Sequence, residues 1–178
     1  DYLAECYYNL GLKELEENDE QKASDYFNKS FKASEKSQYG VMAGSFLDYY
    51  KGEEALNNEK YDEAMELFKG SANAATDINL VNKASAGMAK VYYFKKDYKT
   101  AWETIKNVYA KDNSYGEEYG NYGYAQAKAL IDAGKTTDGL KLYNEIAKYT
   151  KQENLSDSIY KQAVKLGESG KYDEAMNV

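Results

Sequence analysis

A chain of 178 residues with 23 basic and 30 acidic side chains is the size of one domain or one array of small repeats. It holds no histidine, no proline and no arginine, all its basic residues being lysine, so it lacks an imidazole base or metal ligand and a guanidinium fork for phosphate. The net charge of −7 argues against a nucleic-acid partner, and the lone Cys6 excludes an intramolecular disulfide.

The absence of proline suits a chain that is helical nearly throughout, since an interior proline costs a helix about 3 kcal/mol. Twenty tyrosines supply much of the apolar material, so the interior must be built partly from amphipathic rings. An AT-rich coding sequence would enrich Lys, Asn, Tyr and Glu together, and part of the bias then carries no functional meaning. No apolar run approaches the length of about 18 residues that a membrane span needs. The chain opens on Asp1 and stops at Val178, inside an expected helix, which reads as a piece of a longer protein. The compartment is left open: cytoplasmic, or extracytoplasmic if an upstream signal or anchor was removed.

Apolar residues at Leu3, Tyr7, Leu10, Leu12 and Leu15 recur near helical period and predict a helix over Tyr2–Glu17. Asn18-Asp19 breaks it, and Ala23, Tyr26, Phe27, Ser30 and Phe31 mark a partner helix to about Lys36. Gln38-Tyr39-Gly40 is predicted as a turn with a left-handed glycine. A long helix follows from Val41 to Leu56, closed by Asn57-Asn58, and another begins near Tyr61, where Asp62 and Glu63 complement the positive end of the helix dipole. Asp77 is the expected N-cap of Ile78–Phe94, and Asp97 opens Tyr98–Ala110. The segment Asp112–Gly123, with three glycines, predicts a longer loop or a frayed helix start. Tyr124–Ala133 then ends at Gly134 and is followed by Thr137–Tyr149. Ser156 is the expected cap of Ile159–Gly167, Gly170 stops that helix, and Tyr172 opens a last one.

These segments repeat. KYDEAMELFK at Lys60–Lys69 returns as KYDEAM at Lys171–Met176, with looser echoes at Glu20–Phe27, Asp97–Ile105 and Lys135–Tyr143. Small residues stand twelve apart in each pair of helices: Gly11 and Ala23, Gly52 and Ala64, Ala89 and Ala101, Ala127 and Gly139, Ala163 and Ala175. A bulky residue follows four places later at Phe27, Phe68, Ile105 and Tyr143. The period of 36 to 41 residues gives helix pairs at roughly 2–36, 41–75, 77–111, 115–151 and 155–178.

On these residues the chain resembles the tetratricopeptide repeats, whose 34-residue unit sets a small residue, a tyrosine and then Ala-x-x-x-Phe at fixed offsets. The match rests on Leu10-Gly11 with Ala23 and Phe27, on Gly52 with Tyr61, Ala64 and Phe68, on Ala89 and Tyr92 with Tyr98 and Ala101, and on Ala163 with Tyr172 and Ala175. The pair built on Ala127, Gly139 and Tyr143 is degenerate. Spacings longer than the family's, and the missing proline, are departures. The resemblance implies an all-α, right-handed superhelical array of about five antiparallel helix pairs. Each pair buries its apolar face only by stacking on the next.

The resemblance further implies that the first helix of each pair lines a concave groove. The positions three before, one after and four after each small residue then form an open stripe. They are Tyr8, Leu12 and Leu15; Tyr49, Glu53 and Leu56; Ala86, Lys90 and Tyr93; Tyr124, Lys128 and Ile131; Tyr160, Val164 and Gly167. The rings of Tyr8, Tyr49, Tyr93, Tyr124 and Tyr160 either contact a ligand, with area at small entropic cost, or pad repeat against repeat. Lys90 and Lys128 are the candidate partners of an acidic group.

Nothing in the sequence assembles a catalytic constellation. Glu53-Glu54 and Glu117-Glu118 are adjacent and do not share a helix face, Cys6 has no histidine to activate it, and GEEYGNYG lacks the lysine and strand of a phosphate loop. No cofactor and no metal site is expected. The reading is a non-catalytic interaction scaffold that holds a peptide or protein partner, neutral or basic overall, in its groove. The alternatives are a regulatory or signal-peptide-sensing segment of a larger protein, and a purely architectural spacer. The oligomeric state is undetermined.

Overall fold

The computed structural model describes residues 1–149 and 155–176, and among these it is all helix and turn, with no strand. The helices are α1 (Tyr2–Glu16), α2 (Glu20–Ala33), α3 (Gln38–Asn57), α4 (Tyr61–Ala74), α5 (Ile78–Phe94), α6 (Tyr98–Tyr109), α7 (Gly116–Asp132), α8 (Thr136–Ile146), α9 (Leu155–Glu168) and α10 (Tyr172–Met176). The outermost residues of the last two expected pairs, 151 and 178, lie outside the described set. The chain divides into two compact units, Asp1–Val91 and Tyr92–Val178. Within the first, α1 packs on α2, α2 on α3 and α3 on α4; within the second, α6 packs on α7, α7 on α8, α8 on α9 and α9 on α10.

The turns that close α1, α3, α5, α7 and α9 are built alike. Asn18, Glu59, Lys96, Gly134 and Gly170 all take the left-handed backbone conformation, with φ between 59° and 80°. In each, the left-handed residue's N–H and the N–H after it turn back to carbonyls of the last helical turn. Asn18 donates to Leu15 and Asp19 to Glu14, and Gly170 donates to Gly167 and Lys171 to Leu166. This closure satisfies carbonyls that the helix end would leave bare. Each left-handed residue stands five places before the small residue of the following helix, so the sequence repeat and the backbone repeat share one register.

Short polar side chains cap the starts of α2, α3, α5 and α6. The Asp19, Ser37 and Asp97 side chains accept from the N–H groups of Lys22, Gly40 and Thr100 at 3.1 Å each, and Asp77 accepts from Asn79 at 2.9 Å. Three sequence expectations are corrected. Gly40 is helical rather than left-handed; the lack of a side chain there lets the Ser34 carbonyl approach the start of α3. The glycine-rich stretch after Asp112 is a short 3-10 turn (Asn113–Tyr115) running straight into α7, with Tyr119, Gly120, Tyr122 and Gly123 buried. A Cβ on Gly123 would stand 2.6 Å from the Ile146 side chain, so this glycine serves close packing of α7 on α8 rather than flexibility. Finally, α9 already starts at Leu155, before the expected cap Ser156, whose side chain lies outside the described ones.

The core is made of the repeat residues. Ala23, Ala64 and Ala101 are fully buried, as are Phe27, Phe68 and Ile105 four places later. The rings of Phe27 and Phe46 stack with centroids 4.3 Å apart. Ser30 and Ser71, seven places after Ala23 and Ala64, are also fully buried but differ in bonding. Ser30 donates to the Ala4 carbonyl at 2.7 Å, tying α2 to α1, whereas the Ser71 hydroxyl has no partner. A satisfied buried hydrogen bond adds about 1 kcal/mol and an unsatisfied hydroxyl costs about 1–3 kcal/mol. Ser30→Ala should therefore destabilise by about 1 kcal/mol and Ser71→Ala should be neutral or stabilising, read from urea midpoints. Equal losses in both would show that Ser71 is satisfied after all.

Candidate functional site

The five stripe tyrosines, four at one sequence phase and Tyr93 at another, meet different surroundings. Tyr8 is a correction to the expected open stripe: it is only 4% exposed, its ring packed at 5.8 Å from both Phe27 and Tyr39 and at 6.4 Å from Phe46. Burial pushes its phenol above the ordinary range, with Asp77 and Tyr39 adding to it. It belongs to the core. Leu56 is buried likewise. Tyr49 is half-buried and packs against the apolar clusters around both Phe46 and Phe68. Tyr93 is half-buried and stacks on Tyr122 at 4.7 Å, with edge contacts to Tyr98 and Phe94. These two rings join helices to their neighbours.

Lys90 is half-buried and faces the Glu53 carboxyl. Burial raises that carboxyl's pKa, Lys90 and Lys83 pull it down, and Glu20 adds to the rise.

The remaining candidates come together. Tyr124, Lys128 and Tyr160 line one cleft of about 460 Å³ in the second unit, between α7 and α9, with Tyr143 of α8 also against it. Ile131 and Val164, two further stripe positions, complete its apolar lining. The helical period explains this grouping: 124, 128 and 131 lie on one face of α7, and 160 and 164 on one face of α9. Tyr124 stacks on Tyr143 at 5.3 Å, and burial pushes the Tyr143 phenol up to about 12. Tyr160 is the open ring, 70% exposed, and Val164 is 40% exposed.

The cleft's polar groups are unevenly paired. Lys128 holds Asp132 at 2.7 Å, an i, i+4 ion pair on the surface of α7. That bond raises the lysine pKa and occupies the cation expected to meet an acidic ligand group. Lys161, Gln162, Lys165 and Glu168 line the α9 side. Sequence reasoning placed Tyr143 in the core and passed over Lys161 and Lys165. The available signal was their position one residue past Tyr160 and Val164, on the edge of the same helix face.

A second polar cluster joins α6, α7 and α8. Glu145 accepts from Lys106 Nζ and from the Tyr119 hydroxyl, each at 2.8 Å, and the Lys106 ammonium stands 4.6 Å from the Trp102 ring centroid. The Lys106 bond lowers the Glu145 pKa against desolvation, which raises it, and the Tyr119 bond adds a lesser downward pull. This network is internally satisfied and presents no reactive group. Among the described residues, no group of three His, Cys, Asp or Glu side chains is placed to hold a metal ion, and no helix is long and apolar enough to cross a membrane. No protein-family model and no curated protein matches the chain.

Proposed function

We propose that the chain is a tetratricopeptide-like array of about five helix pairs, right-handed as the resemblance implies, serving as a non-catalytic scaffold that holds a peptide segment of a partner protein. The observation that carries the reading is the cleft between α7 and α9, in which Tyr124, Lys128, Ile131, Tyr160 and Val164, all on the expected stripe, line one concavity. The recurring left-handed turns, each five places before a small residue, support the repeat assignment. A concave, mostly apolar surface with a few polar groups at its rim is the form ligand sites commonly take.

Selection from a displayed library of random peptides tests this. Binders should be recovered whose affinity falls about fivefold or more with Tyr160→Ala, the truncation of an exposed aromatic anchor. The melting temperature should not move, because that ring is 70% exposed. Tyr124→Ala should weaken binding too but also lower stability, since its ring stacks on Tyr143. Library binders indifferent to both changes would place the site elsewhere on the chain.

A further inference from the structure

We propose that the cleft between α7 and α9 selects an acidic–apolar–acidic peptide segment, with its carboxylates on Lys161 and Lys165 and its apolar side chain against Tyr124 and Ile131; this rests on the cleft being a peptide site. Three observations converge on it.

The first is which lysines the described acidic groups pair with. Lys128 is committed to Asp132 at 2.7 Å, whereas Lys161 and Lys165 are exposed and no acidic group of the described residues pairs with either. On a chain of net charge −7, three lysines against Asp132 and Glu168 make this lining locally positive. Carboxylates of a partner are therefore attracted to the α9 edge although the chain as a whole is acidic.

The second is spacing. Lys161 and Lys165 are i, i+4 neighbours on α9, about 5–6 Å apart at Cβ. In an extended peptide, alternate residues point to the same side and are about 6.6 Å apart. Two carboxylates separated by one residue thus match the two ammonium groups without distortion.

The third is the opposite wall. The residue between the two carboxylates points the other way, toward α7, where Tyr124 and Ile131 are the apolar lining. Tyr160 and Val164 flank the peptide on its own side. One aromatic or large aliphatic side chain fills a cleft of about 460 Å³ together with the adjacent backbone.

The test uses three fluorescently labelled peptides with blocked ends, so that no terminal carboxylate contributes: Gly-Glu-Phe-Glu-Gly, Gly-Lys-Phe-Lys-Gly and Gly-Glu-Ala-Glu-Gly. Anisotropy titrations of the intact chain should show the first binding about tenfold tighter than either of the others, and more weakly as salt is raised. The double variant Lys161→Glu, Lys165→Glu should reverse the preference in favour of the lysine peptide, with an unchanged melting temperature because both lysines are exposed. Equal affinity for acidic and basic peptides overturns the inference, as does an acidic-peptide affinity that the double variant leaves intact. Failure of all three peptides to bind overturns it as well. The assignment of the cleft as a peptide site fails separately, only if the random library yields no binder that depends on Tyr124 or Tyr160.

Discussion

Phe68→Ala should lower the stability of the first unit by about 3–5 kcal/mol, the range for truncating a fully buried phenylalanine. The side chain is 0% exposed and sits with Ala55, Leu56, Ala64, Ala84 and Val91 in one apolar cluster. Its ring lies between two glycines on different helices. A Cβ on Gly52 of α3 would come within 2.8 Å of it, and one on Gly87 of α5 within 2.7 Å. Three helices therefore close around one ring, and backbone on two sides leaves little that can collapse into the cavity. The converse change is informative for the same reason. Gly87→Ala forces a methyl into a ring that Gly52 prevents from retreating, and overpacking of this kind costs about 1–3 kcal/mol. Urea denaturation followed by circular dichroism measures both. A loss below about 1 kcal/mol for Phe68→Ala would mean that the ring is not the wedge joining α4 to α5.

The same ring shows why the fold was largely legible in the sequence. A small residue twelve places before another, with a bulky one four places on, describes two helices in close approach and the side chain that fills the gap. Gly52, Ala64 and Phe68 do this in the structure as their spacing predicts. What periodicity could not resolve was the use of glycine. In DNSYGEEYGNYG, glycine frequency alone suggests a loop, yet Gly123 lets α7 approach Ile146, a constraint set by a residue 23 positions away in sequence. Local composition carries no record of that partner.

The candidate site was half legible for a related reason. The phase three residues before each small one places Tyr8, Tyr124 and Tyr160 on equivalent faces. Whether such a ring is core or surface depends on the bulk supplied by neighbouring helices. Tyr8 meets Phe27, Tyr39 and Phe46 and is enclosed, while Tyr160 remains 70% exposed. Lys128, expected from its position to face a ligand, does line the cleft, but its pairing with Asp132 depends on side-chain geometry that sequence spacing permits without requiring.

Replacing histidine-free, arginine-free chemistry with tyrosine has a consequence at high pH, and the second large effect is expected there. Burial pushes the phenol of Tyr143 up to about 12 with help from Tyr124, and burial pushes that of Tyr50 up to about 12 with help from Glu20. Tyr8 and Tyr119 are raised too, burial being the largest cause in each. Between pH 10 and 12 the unfolded chain releases these protons while the folded chain retains them. The unfolded state then binds fewer protons, so stability is full below about pH 10 and falls as pH rises toward 12. For Tyr143, only 3% exposed, a rise from 10.0 to about 12 corresponds to about 2–3 kcal/mol lost over that window. Tyr109 and Tyr149, hydrogen-bonded to each other, are shifted in opposite directions, Tyr109 upward and Tyr149 downward. Lys22 and Lys128, raised by their carboxylate partners, act in the same direction as the buried phenols. Tyr143→Phe separates the contributions, because it keeps the ring and removes the proton. Denaturant midpoints measured from pH 8 to pH 12 should fall steeply for the parent chain and less steeply for Tyr143→Phe, with the buried rings' share of the tyrosinate absorbance appearing together with unfolding. Parallel curves for the two proteins would show that the Tyr143 phenol ionises freely within the folded second unit.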